Sequence, residues 1–192
     1  MHLLTGHNLA AFRGDRLVFH KVSFAVRSGE ILLLSGENGA GKSSLLRAIA
    51  GLTPLAAGRF SWDGEDALDD LCLHAARIAW LGHMDAVKPA MTVLENVAAP
   101  GALAAMGLAG FADLPARMLS AGQKRRLAIA RVLAAERPLW LLDEPSTALD
   151  AASTARLLEL CEAHRAGGGM IIASTHLPLA LDGAKTLCLS SR

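Results

Sequence analysis

The chain has 192 residues, of which 52% are apolar but only 4% aromatic and none tyrosine, and its 19 Lys and Arg nearly cancel 18 Asp and Glu. That length suits one domain with its own core. The apolar content excludes a disordered chain, and the cancelled charge excludes a nucleic-acid protein held by bulk electrostatics. The elements then follow in chain order. Leu17 to Val26 alternates apolar residues at Val22, Phe24 and Val26 and reads as a strand. Ile31 to Ser35 is continuously apolar, as a strand covered on both faces should be. A Gly-rich turn follows, then a helix from Ser43 to about Ala50, closed by Gly51. Phe60 to Trp62 is a short strand before the turn Asp63-Gly64, and Ile78 to Leu81 is another. Thr92-Val93-Leu94-Glu95 has capping-box spacing and opens a helix. Pro100 and Gly101 interrupt it, and Ala102 to Leu108 is expected to form a second short helix. Ser120-Ala121-Gly122-Gln123 caps a long helix from about Ala121 to Ala135. Leu139 to Leu142 is a buried strand, Asp150 caps a helix from Ala151 to Ala166, Met170 to Ser174 is a strand, and Thr186 to Leu189 is a last one.

Apolar runs alternating with helical patterns predict an α/β fold with a largely parallel sheet. The region from His83 to Ser120 lacks strands and reads as an all-helical insert, extending over about 84–135 with the long helix; the whole of 1–192 is expected to be one domain. The longest low-charge apolar stretch, 97–112, is shorter than the roughly 20 residues a membrane span needs, and Pro100, Gly101, Gly107 and Gly110 break it. No basic region followed by an apolar run marks a signal peptide at the N-terminus, so a soluble, cytoplasmic chain is expected. Cys72, Cys161 and Cys188 are far apart and form no CxxC, which predicts inert reduced thiols, partly buried.

Gly36-Glu37-Asn38-Gly39-Ala40-Gly41-Lys42-Ser43 satisfies G-x-x-x-x-G-K-[ST]. Glycines let the backbone wrap a phosphate with its N–H groups pointing inward, and the following helix N-terminus adds positive dipole. Lys42 reaches the β- and γ-phosphates and the Ser43 hydroxyl ligates Mg²⁺, with Ser44 beside it in the candidate nucleotide set. The motif lies between a buried strand and a helix, where a surface turn with a stray lysine would not. Leu139-Trp140-Leu141-Leu142-Asp143-Glu144 is a second element, with two acids at the carboxyl end of a buried strand, the edge where open parallel sheets bind ligands. Asp143 suits the metal and its water shell, and Glu144 suits a general base that polarises the attacking water. These two elements make a P-loop NTPase core.

Two further stretches select a branch. Leu119-Ser120-Ala121-Gly122-Gln123 resembles the LSGGQ signature of ATP-binding cassette (ABC) transporter ATPases, with Ala for the first glycine. Ser146-Thr147-Ala148-Leu149-Asp150 resembles that family's D-loop, and Thr175-His176 its H-switch. The order covers the chain from about Leu4 to Leu189. The resemblance implies a P-loop core with an N-terminal antiparallel β subdomain and an all-helical insert. It also implies two copies paired head to tail, with ATP between the phosphate loop of one and Ser120, Gly122 and Gln123 of the other, and His176 beside the γ-phosphate. Two positions depart from the pattern. His83 stands where the family usually carries a glutamine near Mg²⁺ and the water. Arg13 stands where an aromatic residue usually stacks on adenine, so either Arg13, its neighbour Phe12, or neither meets the base.

Leu81-Gly82-His83, the short insert, Lys124-Arg125-Arg126 after the signature, and Thr175-His176-Leu177-Pro178-Leu179 resemble the ATPase subunit of the haem-exporter system of bacterial cytochrome c maturation. That resemblance implies integral-membrane partner subunits, a peripheral place on the cytoplasmic face of the bacterial inner membrane, and ATP and Mg²⁺ as cofactors; nucleic acid is not an expected partner. The alternative within the family is a subunit of another small importer or exporter. A soluble P-loop kinase would lack the signature, and a soluble ABC mechanoprotein would carry two ATPase units or a long coiled coil. Lys124, Arg125 and Arg126 read as a solvated face packed against nearby acids. Met106, Leu108, Phe111 and Met118 read as the insert's own core or as a groove for a membrane partner.

Overall fold

The computed structural model of the protein describes residues 1–175 and 181–189. Two long strands, β1 (Leu3–Arg13) and β2 (Arg16–Arg27), pair antiparallel through a tight turn at Gly14. Sequence pattern alone does not mark β1 as a strand, because three register irregularities between Gly6 and Phe12 break its alternation. β3 (Ile31–Ser35) leads through the glycine-rich loop to α1 (Lys42–Ile49). β4 (Ala57–Trp62) and the two-residue β5 (Glu65–Asp66) then complete a four-stranded antiparallel sheet, order β2-β1-β4-β5.

The short helix α2 (Leu71–Ala76), capped by Asp70, precedes β6 (Ile78–Leu81). The chain then leaves the sheet for α3 (Val93–Val97), α4 (Pro100–Ala105) and two 3₁₀ turns at Ala109–Phe111 and Ala116–Met118. The Thr92–Glu95 capping box is present in full. The second short helix begins at Pro100, earlier than expected, because proline is pre-organised for the first helical position and has no N–H to lose there. Next come α5 (Ala121–Ala134), β7 (Leu139–Asp143), α6 (Ala151–Ala166), β8 (Met170–Ser174) and β9 (Lys185–Cys188).

The second sheet is five-stranded and parallel, order β6-β7-β8-β3-β9. Side-chain alternation divides its residues between two cores. Leu32, Leu34, Leu139, Leu141, Met170 and Ile172 pack with Leu45, Leu46 and Ile49 of α1 and with the antiparallel sheet. Ile31, Leu33, Trp140, Leu142, Ile171 and Ala173 pack on the other face with α5, α6 and the helical segment. β7 and β8 are therefore buried at every position, and each buried leucine or isoleucine contributes about 1.5–3 kcal/mol by leaving water. Met106 and Leu108 are fully buried in this second core and Phe111 packs against it, while Met118 is 66% exposed.

Cys161 is buried in α6, and burial pushes its thiol up to about 12, which keeps it protonated. Cys72 and Cys188 are free and exposed, not part-buried. No helix among the described residues is long and apolar enough to cross a membrane.

Candidate functional site

The carboxyl ends of β6, β7, β8 and β3 lie side by side, and the loops that leave them build a cleft of about 530 Å³. From the loop after β3 come Asn38, Gly39 and Gly41, then Lys42, Ser43 and Ser44 of α1; from β7 comes Glu144; from β6, His83. Arg13, Arg16 and Val18, around the β1–β2 turn, close the far side. Phe12 is 57% exposed and is not among the lining residues; Arg13 is.

Two glycines make the loop possible. Gly36 has φ 134° and a Cβ there would collide with the carbonyl oxygen of Leu189. Gly41 has φ 97° and lies against Val18, where a Cβ would stand 2.6 Å from Cγ1. Gly41 is also the N-cap of α1 and supplies no side-chain acceptor to its first turn. The other long helices are capped by side chains, α5 by Ser120 and α6 by Asp150. The first-turn N–H groups of α1 thus lack a side-chain cap at the place where its dipole favours an anion. Lys42 is nearly buried, and its Nζ donates to the carbonyls of Gly36 at 2.8 Å and Glu37 at 3.1 Å, which holds the loop curled around the ammonium. Ala40 of the same loop is buried in the core.

Asp143, 3% exposed, closes β7. Its Oδ1 accepts from Ser43 Oγ at 2.9 Å and from Ser174 Oγ at 2.6 Å. A hydroxyl and a carboxylate side by side are hard oxygen donors that suit Mg²⁺, an ion usually held by one or two protein oxygens together with phosphate and water. Among the described residues no group of three His, Cys, Asp or Glu side chains is placed to hold a metal by itself. Glu144 follows with φ 48°, a left-handed backbone that costs a non-glycine residue about 1–3 kcal/mol and that clusters at functional positions. Its N–H donates to the main-chain oxygen of Ser174 at 3.2 Å and to Ser174 Oγ at 3.0 Å.

Ser174 is fully buried, although pattern alone makes it no more than the end of a strand. A hydroxyl closing an apolar run is the one local signal, and parallel pairing puts it directly opposite Asp143. We expect Ser174→Ala to lower kcat about tenfold through lost positioning and stability by about 1–3 kcal/mol through an unpaired buried partner. Steady-state hydrolysis and denaturant titration read the two effects separately.

Arg125 is the other residue that pattern reading misplaces. It is not on a solvated face: it is 3% exposed, and its guanidinium is bonded to Asp85 and to the backbone carbonyls of Gly82, Asp143 and Glu144. Nothing local distinguishes it from Lys124 and Arg126, which are half-buried.

Ser120, Gly122 and Gln123 do not line the phosphate cleft. They border a separate depression of about 150 Å³ with Ala148, Leu149 and Asp150, while the adjacent Thr147 borders the cleft itself. Within one chain the phosphate loop and the stretch 119–123 are therefore not brought to a common site. Ser120 and Gln123 form a reciprocal capping box on α5. His176 lies outside the described residues, as do Leu177, Pro178 and Leu179.

Known proteins resemble the chain in sequence and in fold. The ABC transporter family profile matches residues 19–147. The chain is 48% identical to the cytochrome c biogenesis ATP-binding export protein CcmA of Paramagnetospirillum magneticum over 95% of this chain and 91% of that protein. It is 47% identical to the protein of the same name from Rhodospirillum rubrum, over 97% and 85%. Among solved structures, the ATP-binding subunit of an ABC transporter superposes with a TM-score of 0.89 at 25% identity, covering 97% of this chain and 85% of that one. A dimeric ATP-binding cassette in a post-hydrolysis state with ADP and Pi superposes at 0.87, with 25% identity, 97% and 94% coverage.

Proposed function

We infer that this chain, which belongs to the ABC transporter family, is the ATP-hydrolysing subunit of the membrane complex that serves cytochrome c biogenesis, the haem-exporter type. The observation that carries the reading is near-half identity to proteins of that one printed name over almost the full length of both chains. The cleft supports the chemistry. The bare N-terminus of α1 and Lys42 meet the β- and γ-phosphates, Ser43 and Asp143 hold the nucleotide's Mg²⁺, and Glu144 accepts a proton from the attacking water. Mg²⁺, when bound, would supply charge neutralisation on the phosphates. His83 borders the same space, and His176 is assigned to the γ-phosphate by family likeness. Arg13 is the candidate for the adenine face through cation–π contact.

Two copies pair head to tail in this reading. The separation of the signature depression from the phosphate cleft within one chain supports it: a nucleotide can touch both only if the second comes from another copy. The pair closes on ATP and reopens after hydrolysis, working on integral-membrane subunits from the cytoplasmic face of the inner membrane, with the chain peripheral. Affinity purification of the tagged chain from detergent-solubilised membranes should bring down membrane subunits, and deleting its gene should abolish c-type cytochromes. Normal c-type cytochromes in the deletion strain would reject the biogenesis role while leaving the ATPase reading intact.

A further inference from the structure

Arg125 lies where three parts of the machinery meet. Its Nη2 donates to the carbonyl of Asp143 at 2.7 Å and to that of Glu144 at 2.6 Å. Its Nη1 donates to the carbonyl of Gly82 at 2.9 Å and to Asp85 Oδ1 at 3.0 Å, and its Nε is 3.4 Å from the carbonyl of Pro145. One guanidinium therefore ties the segment after β6, which carries His83, to the segment after β7, which carries Glu144. It is also anchored on α5, whose N-cap is Ser120. Arg125 lies five positions after Ser120, about 7.5 Å of helical rise.

The geometry points to Arg125 as a positioning residue that transmits engagement of the α5 N-terminus by a second copy's nucleotide to the hydrolytic carboxylate of its own chain. The inference rests on the head-to-tail reading above. Glu144 is strained, with φ 48°, and such a residue keeps its place only while its surroundings over-determine it. Ser174 holds its N–H, and its carbonyl accepts from Arg125 at 2.6 Å and from the N–H of Thr147 at 3.1 Å. Ser174 is fixed in the sheet, whereas Arg125 moves with α5. A shift or rotation of α5 on closing over a nucleotide therefore moves the carbonyl side of Glu144 and the segment 82–85 together. A lysine cannot substitute, because a single ammonium lacks the planar fork that reaches carbonyls on both sides.

The test uses the full-length chain. In a Glu144→Gln background, ATP-dependent pairing is followed by light scattering, with and without Arg125→Lys; hydrolysis is measured for Arg125→Lys alone. The expected result is pairing retained and KM for ATP within about twofold of the parent, with kcat lowered tenfold to about 10²-fold, the scale of a misplaced reacting group. Arg125→Gln, which keeps a donor but loses the fork that spans the carbonyls, is expected to lower kcat in the same direction, and it decides the matter if Arg125→Lys does not fold. Parental turnover in either variant, or a loss that tracks lost ATP binding or lost pairing, overturns the role. If ATP fails to pair the Glu144→Gln chain itself, the sandwich fails and this inference falls with it; if pairing occurs and turnover is parental, only the inference falls.

Discussion

Glu144→Gln is expected to bind ATP as the parent does and to lose at least about 10²-fold in turnover. The substitution keeps the shape of the side chain and removes its capacity to take a proton. Ser174, Arg125 and the N–H of Thr147 all contact the main-chain atoms of position 144, so the left-handed conformation is expected to survive the change. Asp143 and Ser43 keep their bond, which leaves the phosphate end of the cleft as it was. Binding measured by nucleotide fluorescence and turnover measured by phosphate release should therefore part company. Hydrolysis near the parental rate in this variant would remove Glu144 from the role of base.

Lys42→Ala should act earlier, at binding. Its ammonium is the buried positive charge at the focus of the phosphate loop, and it is bonded to the carbonyls of Gly36 and Glu37. Without it, the nucleotide's phosphates face the α1 N-terminus alone, and the loop loses the two bonds that curl it. Removing one pre-organised donor of this kind costs about 10²–10³-fold in rate, and here the loss is expected in ATP affinity as well as in kcat. Isothermal titration and steady-state kinetics on the purified chain check both. The fold should persist, since Lys42 is a member of neither apolar core. ATP affinity within about twofold of the parent would show that the loop's N–H groups do the binding without the lysine.

What local sequence carries, and what it does not, divides along physical lines. The phosphate loop, the acid pair after β7, and the caps at Thr92, Ser120 and Asp150 depend on residues within a few positions of one another, so each is legible in the sequence alone. α6 begins and ends where its Asp150 cap and its Gly167 stop say it should. β1 escapes the pattern because bulges spoil its alternation. α4 starts two residues ahead of its expected place because Pro100, which looks like a break, is its first helical residue. Arg125 is hidden for a different reason. A basic triplet at a helix start has the same sequence signature whether it faces water or a row of carbonyls 18 to 43 positions away in the chain, and only tertiary packing decides. Ser174 gains its meaning from the parallel pairing that sets it opposite Asp143.

The strand order has a consequence for how the protein comes into being. β3 delivers the phosphate loop, yet its neighbours in the sheet are β8 and β9, both from residues 170–188. A nascent chain that has exposed β3 has no strand to pair with it until more than half the sequence has followed, a wait on the order of 10 s at ordinary elongation rates. During that interval Ile31 to Leu34 form a bare apolar segment, the kind of unpaired edge on which aggregation starts. Long-range parallel pairing is also slow to form. The nucleotide cleft is thus among the last features to be assembled. Until β8 and β9 are available, the strand that carries the phosphate loop has no neighbour to hold it in the sheet.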